Sequence, residues 1–158
     1  NMEIRSHKSS ANKNFKAKNA AVEKEKIYLG YVTSHLNAAI IQLRLIDNYY
    51  ARIEILDGKE LADLKNQMNK TRNHFQEIAK EAPATEYFQT SDHFLKQTCE
   101  LVAENLAECC IAVEKSDSEG INMTLDKVKK TGNLFIEYTK LSNIDGSVYW
   151  AWRNTTNS

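Results

Sequence analysis

Four histidines and three cysteines are the side chains here with the most obvious capacity for chemistry. Helical proteins often hold metals in their interiors, so the spacing of His7, His35, His74 and His93 is decisive. A di-iron centre needs Glu-x-x-His on two helices with further glutamates facing it. That motif does not occur; His74 and Glu77 stand three apart, in the reverse order and without a second copy. A zinc site asks for cysteines and histidines at set intervals, and the adjacent Cys109-Cys110 has none. The expectation is no metal and no cofactor. The histidines are assigned to helix flanks or to the surface, with His35 packing against a tyrosine.

Nucleophilic catalysis needs an activated thiol or hydroxyl beside a base. Cys99 and Cys109 fall on an apolar helical stripe, where a thiol stays protonated, and Cys110 falls at its edge. The odd number argues against a disulfide framework, and adjacent helical residues point about 100° apart, too far to bridge comfortably. Three free thiols are expected, with Cys99 and Cys109 buried. No Gly-x-Gly-x-x-Gly, phosphate-binding Gly-Lys-Ser/Thr or Gly-x-Ser-x-Gly is present. The carboxylates fall on solvent faces. No catalytic residue is assigned, and the chain reads as a protein that is not an enzyme.

Two features remain that could bind something. One is the aromatic segment with Tyr149, Trp150 and Trp152, which if exposed would mark a partner or membrane interface. These three are the candidate binding residues. The prediction for the segment itself is that it folds back on the N-terminal part of the first helix, near Tyr28 and Tyr31, and lengthens the core. The other feature is a set of small or polar residues on core stripes, Ala39, Thr71, Cys99 and Gly132, which together could leave an internal pocket.

The elements that must position these residues are helices. One proline and five glycines in 158 residues leave too few turn formers for sheets. Leu29, Val32, Leu36, Ala39, Leu43, Ile46, Tyr50 and Ile53 alternate spacings of three and four, a heptad stripe broad enough for a bundle. Asp57-Gly58 ends that first helix, with Gly58 left-handed. Leu61, Leu64, Met68, Thr71, Phe75 and Ile78 define a second helix over 59–80, stopped by Pro83. Thr85 caps a third helix carrying Phe88, Leu95, Cys99, Val102, Leu106, Cys109 and Val113; Asp92, on the same stripe, is placed at its solvated end. Ser116 and Glu119 have capping-box spacing for a fourth helix through Ile121, Leu125, Val128, Gly132, Phe135 and Tyr138, ending near Asn143 and Asp145-Gly146.

Short connections between long helices predict an all-α fold, an antiparallel up-down-up-down four-helix bundle with a long first helix. Three regions follow: 1–19, a polar basic tether or frayed helix start; 20–146, the bundle; and 147–158, the aromatic C-terminal tail. The 21 basic and 21 acidic side chains cancel, which excludes the cationic excess that binding to nucleic acid needs. Only the first 26 residues are biased, seven cations against three anions, or +4. No apolar run reaches the length of a membrane span, and no signal-peptide pattern is seen.

Three stretches carry a resemblance: Ile78-Ala79-Lys80-Glu81-Ala82-Pro83, Ser91-Asp92-His93-Phe94-Leu95 and Thr131-Gly132-Asn133-Leu134-Phe135-Ile136-Glu137-Tyr138. With the Lys/Asn/Ser-rich start, this half of the chain resembles uncharacterised bacterial extracytoplasmic, lipoprotein-like four-helix domains. The resemblance implies a location outside the cytoplasm, tethered to the membrane through an N-terminal anchor, and no mechanism. The resulting expectation is a non-enzymatic binding or interaction module at the bacterial cell surface, with a protein partner or a small ligand. The alternatives are a ligand-sensing helical bundle of a receptor and a cytoplasmic helical adaptor or regulator.

Overall fold

The first helix, α1, runs from Met2 to Tyr50 without a break. The computed structural model describes the backbone of residues 2–155 and the side chains of 13–155. The stretch 2–19 read as a tether or frayed start is helical from Met2, and residue 1 lies outside the described residues. Nothing in 2–29 breaks a helix, because the first glycine is Gly30 and proline is absent, so the favourable propensities of Lys, Ala and Glu carry the element through.

α1 ends seven residues before the Asp57-Gly58 pair assigned to its terminus. A single 3-10 turn, Ile53–Ile55, follows it. Asp57 then opens the next helix, α2 (Gly58–Lys80), its carboxylate accepting the amide of Glu60. Gly58 is thus the first residue of α2 and keeps a negative φ. The acceptor side chain at the N-cap, which satisfies an otherwise orphan amide, outcompetes the glycine as the organising residue of this turn.

Pro83 stops α2 as expected. Thr85 makes no capping bond; a 3-10 turn at Glu86–Phe88 leads into α3 (Gln89–Glu114). At the far end of α3, Ser116 is not a cap for the next helix. It takes φ 52°, while its amide bonds the carbonyl of Val113 and the amide of Asp117 bonds that of Ala112. This is a Schellman termination of α3. Asp117 then caps α4 (Ser118–Gly132) by accepting the amide of Gly120, so close that a Cβ at Gly120 would strike its carboxylate.

The last helical segment is interrupted at Asn133, giving α4 and α5 (Leu134–Arg153). α5 also runs past Asn143 and Asp145-Gly146 to Arg153, so the residues assigned to an aromatic tail are helical as far as Arg153; residues 156–158 lie outside the described residues. Tertiary contacts override the local turn preference. Asp145 Oδ2 accepts the backbone amide of Ser91 at 2.9 Å, and Tyr149, 1% exposed, is packed against Phe88.

Among the described residues there is no strand, and the fold is all-α. The core gathers Leu64, Met68 and Phe75 of α2, Leu95, Val102 and Leu106 of α3, and Leu125 and Phe135 of α4 and α5. Phe75 and Phe135 stack with centroids 5.4 Å apart. α2 packs along both α1 and α3, and α3 along α4 and α5. α1 touches α4 only slightly, which leaves one side of the helical assembly poorly closed.

Candidate functional site

That poorly closed side is a groove of about 560 Å³ between the C-terminal third of α1 and the α4–α5 break. Its volume falls within the range of about 300–1,000 Å³ found for small-molecule sites. Leu43, Ile46 and Tyr50 of α1 form one wall and Leu125, Val128 and Phe135 the other. Gly132 lies between them, and a Cβ built there meets nothing within 4 Å. Gly132 therefore borders open space, in a surface groove rather than in the internal pocket that the small stripe residues suggested. Of the other small stripe residues, Cys99 lines a separate depression of about 280 Å³, whereas Ala39 and Thr71 are fully buried.

The groove's rim is polar. Arg44 and Asp47 flank it on α1; Lys129, Asn133 and Thr139 flank it on α4 and α5. Neither Arg44 nor Lys129 forms an ion pair among the described residues. These two cations went unrecognised in the sequence because each is an ordinary solvent-facing residue of its helix. Only the sparse contact between α1 and α4 brings them to one opening.

A second cluster lies near the other end of α1. Tyr28 donates a hydrogen bond of 2.6 Å to Asp92 Oδ1, and Lys96 pairs with Asp92 Oδ2 at 3.0 Å. Asp92 is 6% exposed, buried rather than at the solvated end that its sequence position predicts. The phenol of Tyr28 and the cation of Lys96 stabilise the carboxylate inside. Glu25, assigned to a solvated face, is fully buried, and no donor meets either of its oxygens in hydrogen-bonding geometry. Burial raises its pKa from the usual 4.5, with the amides of Ala84 and Thr85 nearby pulling partly the other way. The hydroxyls of Thr85 and Tyr149 are likewise buried without partners.

His35 and His74 meet on the seam between α1 and α2, Nδ1 to Nδ1 at 2.8 Å. Tyr31 lies 4.3 Å from the His35 ring, the tyrosine contact expected, and donates to Glu77 at 3.0 Å. The heptad stripes placed both histidines on flanks but could not show that the two flanks coincide. His93 is exposed, and the side chain of His7 lies outside the described residues. No group of three or more His, Cys, Asp or Glu side chains able to hold a metal ion gathers among the described residues.

All three cysteines are free and buried. Burial pushes the Cys99 thiol up to about 12 and the Cys109 thiol up to about 11, a poor setting for a nucleophile.

The aromatic residues Tyr149, Trp150 and Trp152 lie far from the groove. Tyr149 and Trp152 pack with Tyr87 and Phe88, while Trp150 is 52% exposed beneath Arg153. The chain's end does return to α1, but at Lys18, whose ammonium donates to the Trp152 carbonyl at 2.7 Å and lies over its ring. Tyr28 and Tyr31 are engaged elsewhere, by Asp92 and Glu77.

No helix is long and apolar enough to cross a membrane among the described residues. No family model matches the chain, and neither a curated protein nor a solved structure matches it significantly.

Proposed function

We propose that this chain is a non-enzymatic binding module that receives the apolar part of a small ligand in the groove between α1 and the α4–α5 break. The observation carrying this reading is the combination at one opening of an apolar floor, a polar rim and the unfilled space at Gly132. The burial of the three thiols, which raises the pKa of each, favours binding over catalysis.

The architecture that goes with this reading is an antiparallel up-down-up-down bundle open along one seam. Partner residues run in opposite numerical order across successive helices, which supports it: Tyr31 with Glu77 and Gln42 with Thr71, then Lys65 with Glu114 and Asn69 with Cys110, then Asn105 with Thr131 and Glu108 with Lys127. Opposed neighbours would normally bring α1 closely against α4 as well; a ligand in the seam would fill the space that their sparse contact leaves.

The location that fits best is the outside of a bacterial cell, with α1 leading from a membrane anchor. Support comes from the basic polar stretch 1–19 and from the resemblance to lipoprotein-like domains. Fractionation of cells carrying the natural gene should recover the protein with the envelope; recovery in the cytosol would favour the adaptor reading.

The direct test uses a neutral apolar fluorophore, N-phenyl-1-naphthylamine. One equivalent should bind the native protein with enhanced emission. Gly132→Leu, which projects a side chain into the open space, should lose that binding by at least tenfold while keeping its helical circular dichroism. Equal binding to both proteins would place the fluorophore elsewhere and sink the groove as the site.

A further inference from the structure

The groove's two walls each present a cation to the same opening, Arg44 from α1 and Lys129 from α4. Asp47 is the single acidic side chain on the rim, so the opening carries a net charge of +1 from two cations and one anion. The floor between them is apolar and elongated along α1, from Ile40 to Tyr50, or roughly 15 Å at 1.5 Å rise per residue. A ligand fitting such a site has a linear apolar body and an acidic end. Resting on the groove reading above, we propose that the occupant is a single-chain anionic amphiphile, its alkyl body lying on Ile46, Leu125, Val128 and Phe135 and its acid group held between Arg44 and Lys129.

The physical case is one of complementarity. An alkyl chain fills the cleft left by the sparse contact of α1 with α4 without leaving any polar group unsatisfied. A carboxylate or phosphate monoester gives each cation a charge-assisted hydrogen bond that no side chain among the described residues provides. Arg44 offers a planar fork suited to either head, and Lys129 a movable point charge. A cationic or uncharged head would gain from neither. Burial of methylenes supplies affinity at up to about fourfold for each carbon, and the head supplies direction and selectivity.

Hexadecanoate, hexadecanol and an acyl lysophosphatidate are each used, below their micellar concentrations, to displace N-phenyl-1-naphthylamine from the native chain. The acids should displace it about tenfold more strongly than the alcohol, with the advantage shrinking as ionic strength rises, because the rim is solvent-exposed. Which acid is stronger separates a free fatty acid from a phospholipid-derived ligand. In Arg44→Gln/Lys129→Gln the advantage, read as the ratio of acid to alcohol on the same variant, should vanish; both positions are exposed and form no ion pair among the described residues, so the fold is not at stake. If acids and alcohol displace equally from the native chain, the anionic assignment is wrong and the groove reading stands. If the double variant keeps the acid preference, these two cations do not hold the head. If the fluorophore never binds the native chain, the groove reading itself fails.

Discussion

Nδ1 of His35 lies 2.8 Å from Nδ1 of His74, joining α1 to α2 across a half-buried seam. One ring donates and the other accepts, so the bond persists only while at least one imidazole is neutral. Burial, and then the neighbouring His35, lower the pKa of His74 below 6.5. The folded chain therefore takes up this proton at a lower pH than the unfolded chain does. The contribution to stability is complete above about pH 6.5 and is lost as the pH falls below it. Proton magnetic resonance of the His74 ring should show a midpoint below 6.5, and His35→Gln should raise it. A native midpoint at or above 6.5 would contradict the pairing.

Glu25 has the opposite sign. Its pKa is raised above 4.5 in the folded chain, so folding becomes more favourable as the pH falls from that raised value toward 4.5. At pH 7 the charged carboxylate weakens the fold, because the cost of its burial outweighs what the amides of Ala84 and Thr85 return. Glu25→Gln removes the charge and keeps the shape. It should stabilise the chain by about 1 kcal/mol at pH 7, the scale of one unsatisfied buried group, and by less at pH 5. Urea midpoints at the two pH values check this. A variant less stable than the native chain at pH 7 would show that the carboxylate has a partner it needs.

The heptad stripes made most of the interior legible. Val32, Ala39 and Ile46, then Leu64, Met68, Phe75 and Ile78, then Leu95, Cys99, Val102, Leu106 and Cys109 are buried on the spacings that identify them. The helix ends were less legible, because the residues that decide them act through geometry that a pattern does not contain. Ser116 and Asp117 are both good caps; what selects Asp117 is the left-handed turn at Ser116. Asp145-Gly146 reads as a stop until the amide of Ser91 is brought to the Asp145 carboxylate. The groove was half legible. Gly132 announced space, but its opening and its cations depend on how far α1 stands from α4, a distance between elements that the spacing within elements does not encode.

Buried thiols with raised pKa should react slowly. With Cys99 pushed up to about 12 and Cys109 to about 11, almost no thiolate exists in the native state at pH 8. Labelling by a maleimide or by dithiobis(nitrobenzoate) should need opening of the core, so it should be at least a hundredfold slower than in urea. It should also accelerate in step with destabilising variants. Cys110, 7% exposed and beside Asn69, should react first. Mass spectrometry of partly labelled protein reads the order. Labelling of Cys99 before Cys110 would overturn the assignment of these depths.

Asp145 sits late in the sequence and on α5, yet it satisfies the first turn of α3. Its Oδ2 accepts from the amide of Ser91, one of the amides at a helix start that lack an intrahelical acceptor. The carboxylate also lies at the positive end of the α3 dipole. The contact therefore does for α3 what an N-cap side chain normally does, and it pins α5 to α3 beyond the Asp145-Gly146 pair that would otherwise favour a turn. Asp145→Ala should cost about 1–2 kcal/mol, the range for losing a cap together with a favourable charge. Each kcal/mol corresponds to a fall in melting temperature of about 2–4 °C for a chain of this size. Asp145→Asn keeps the acceptor and loses the charge, so it should recover roughly half of the loss. Because Tyr149 is held on the same helix one turn later, Asp145→Ala should also loosen the aromatic cluster and shift Trp152 emission to the red. A drop in melting temperature without any change in emission would mean that Tyr149 and Phe88 hold α5 in place by themselves, and that Asp145 serves α3 alone.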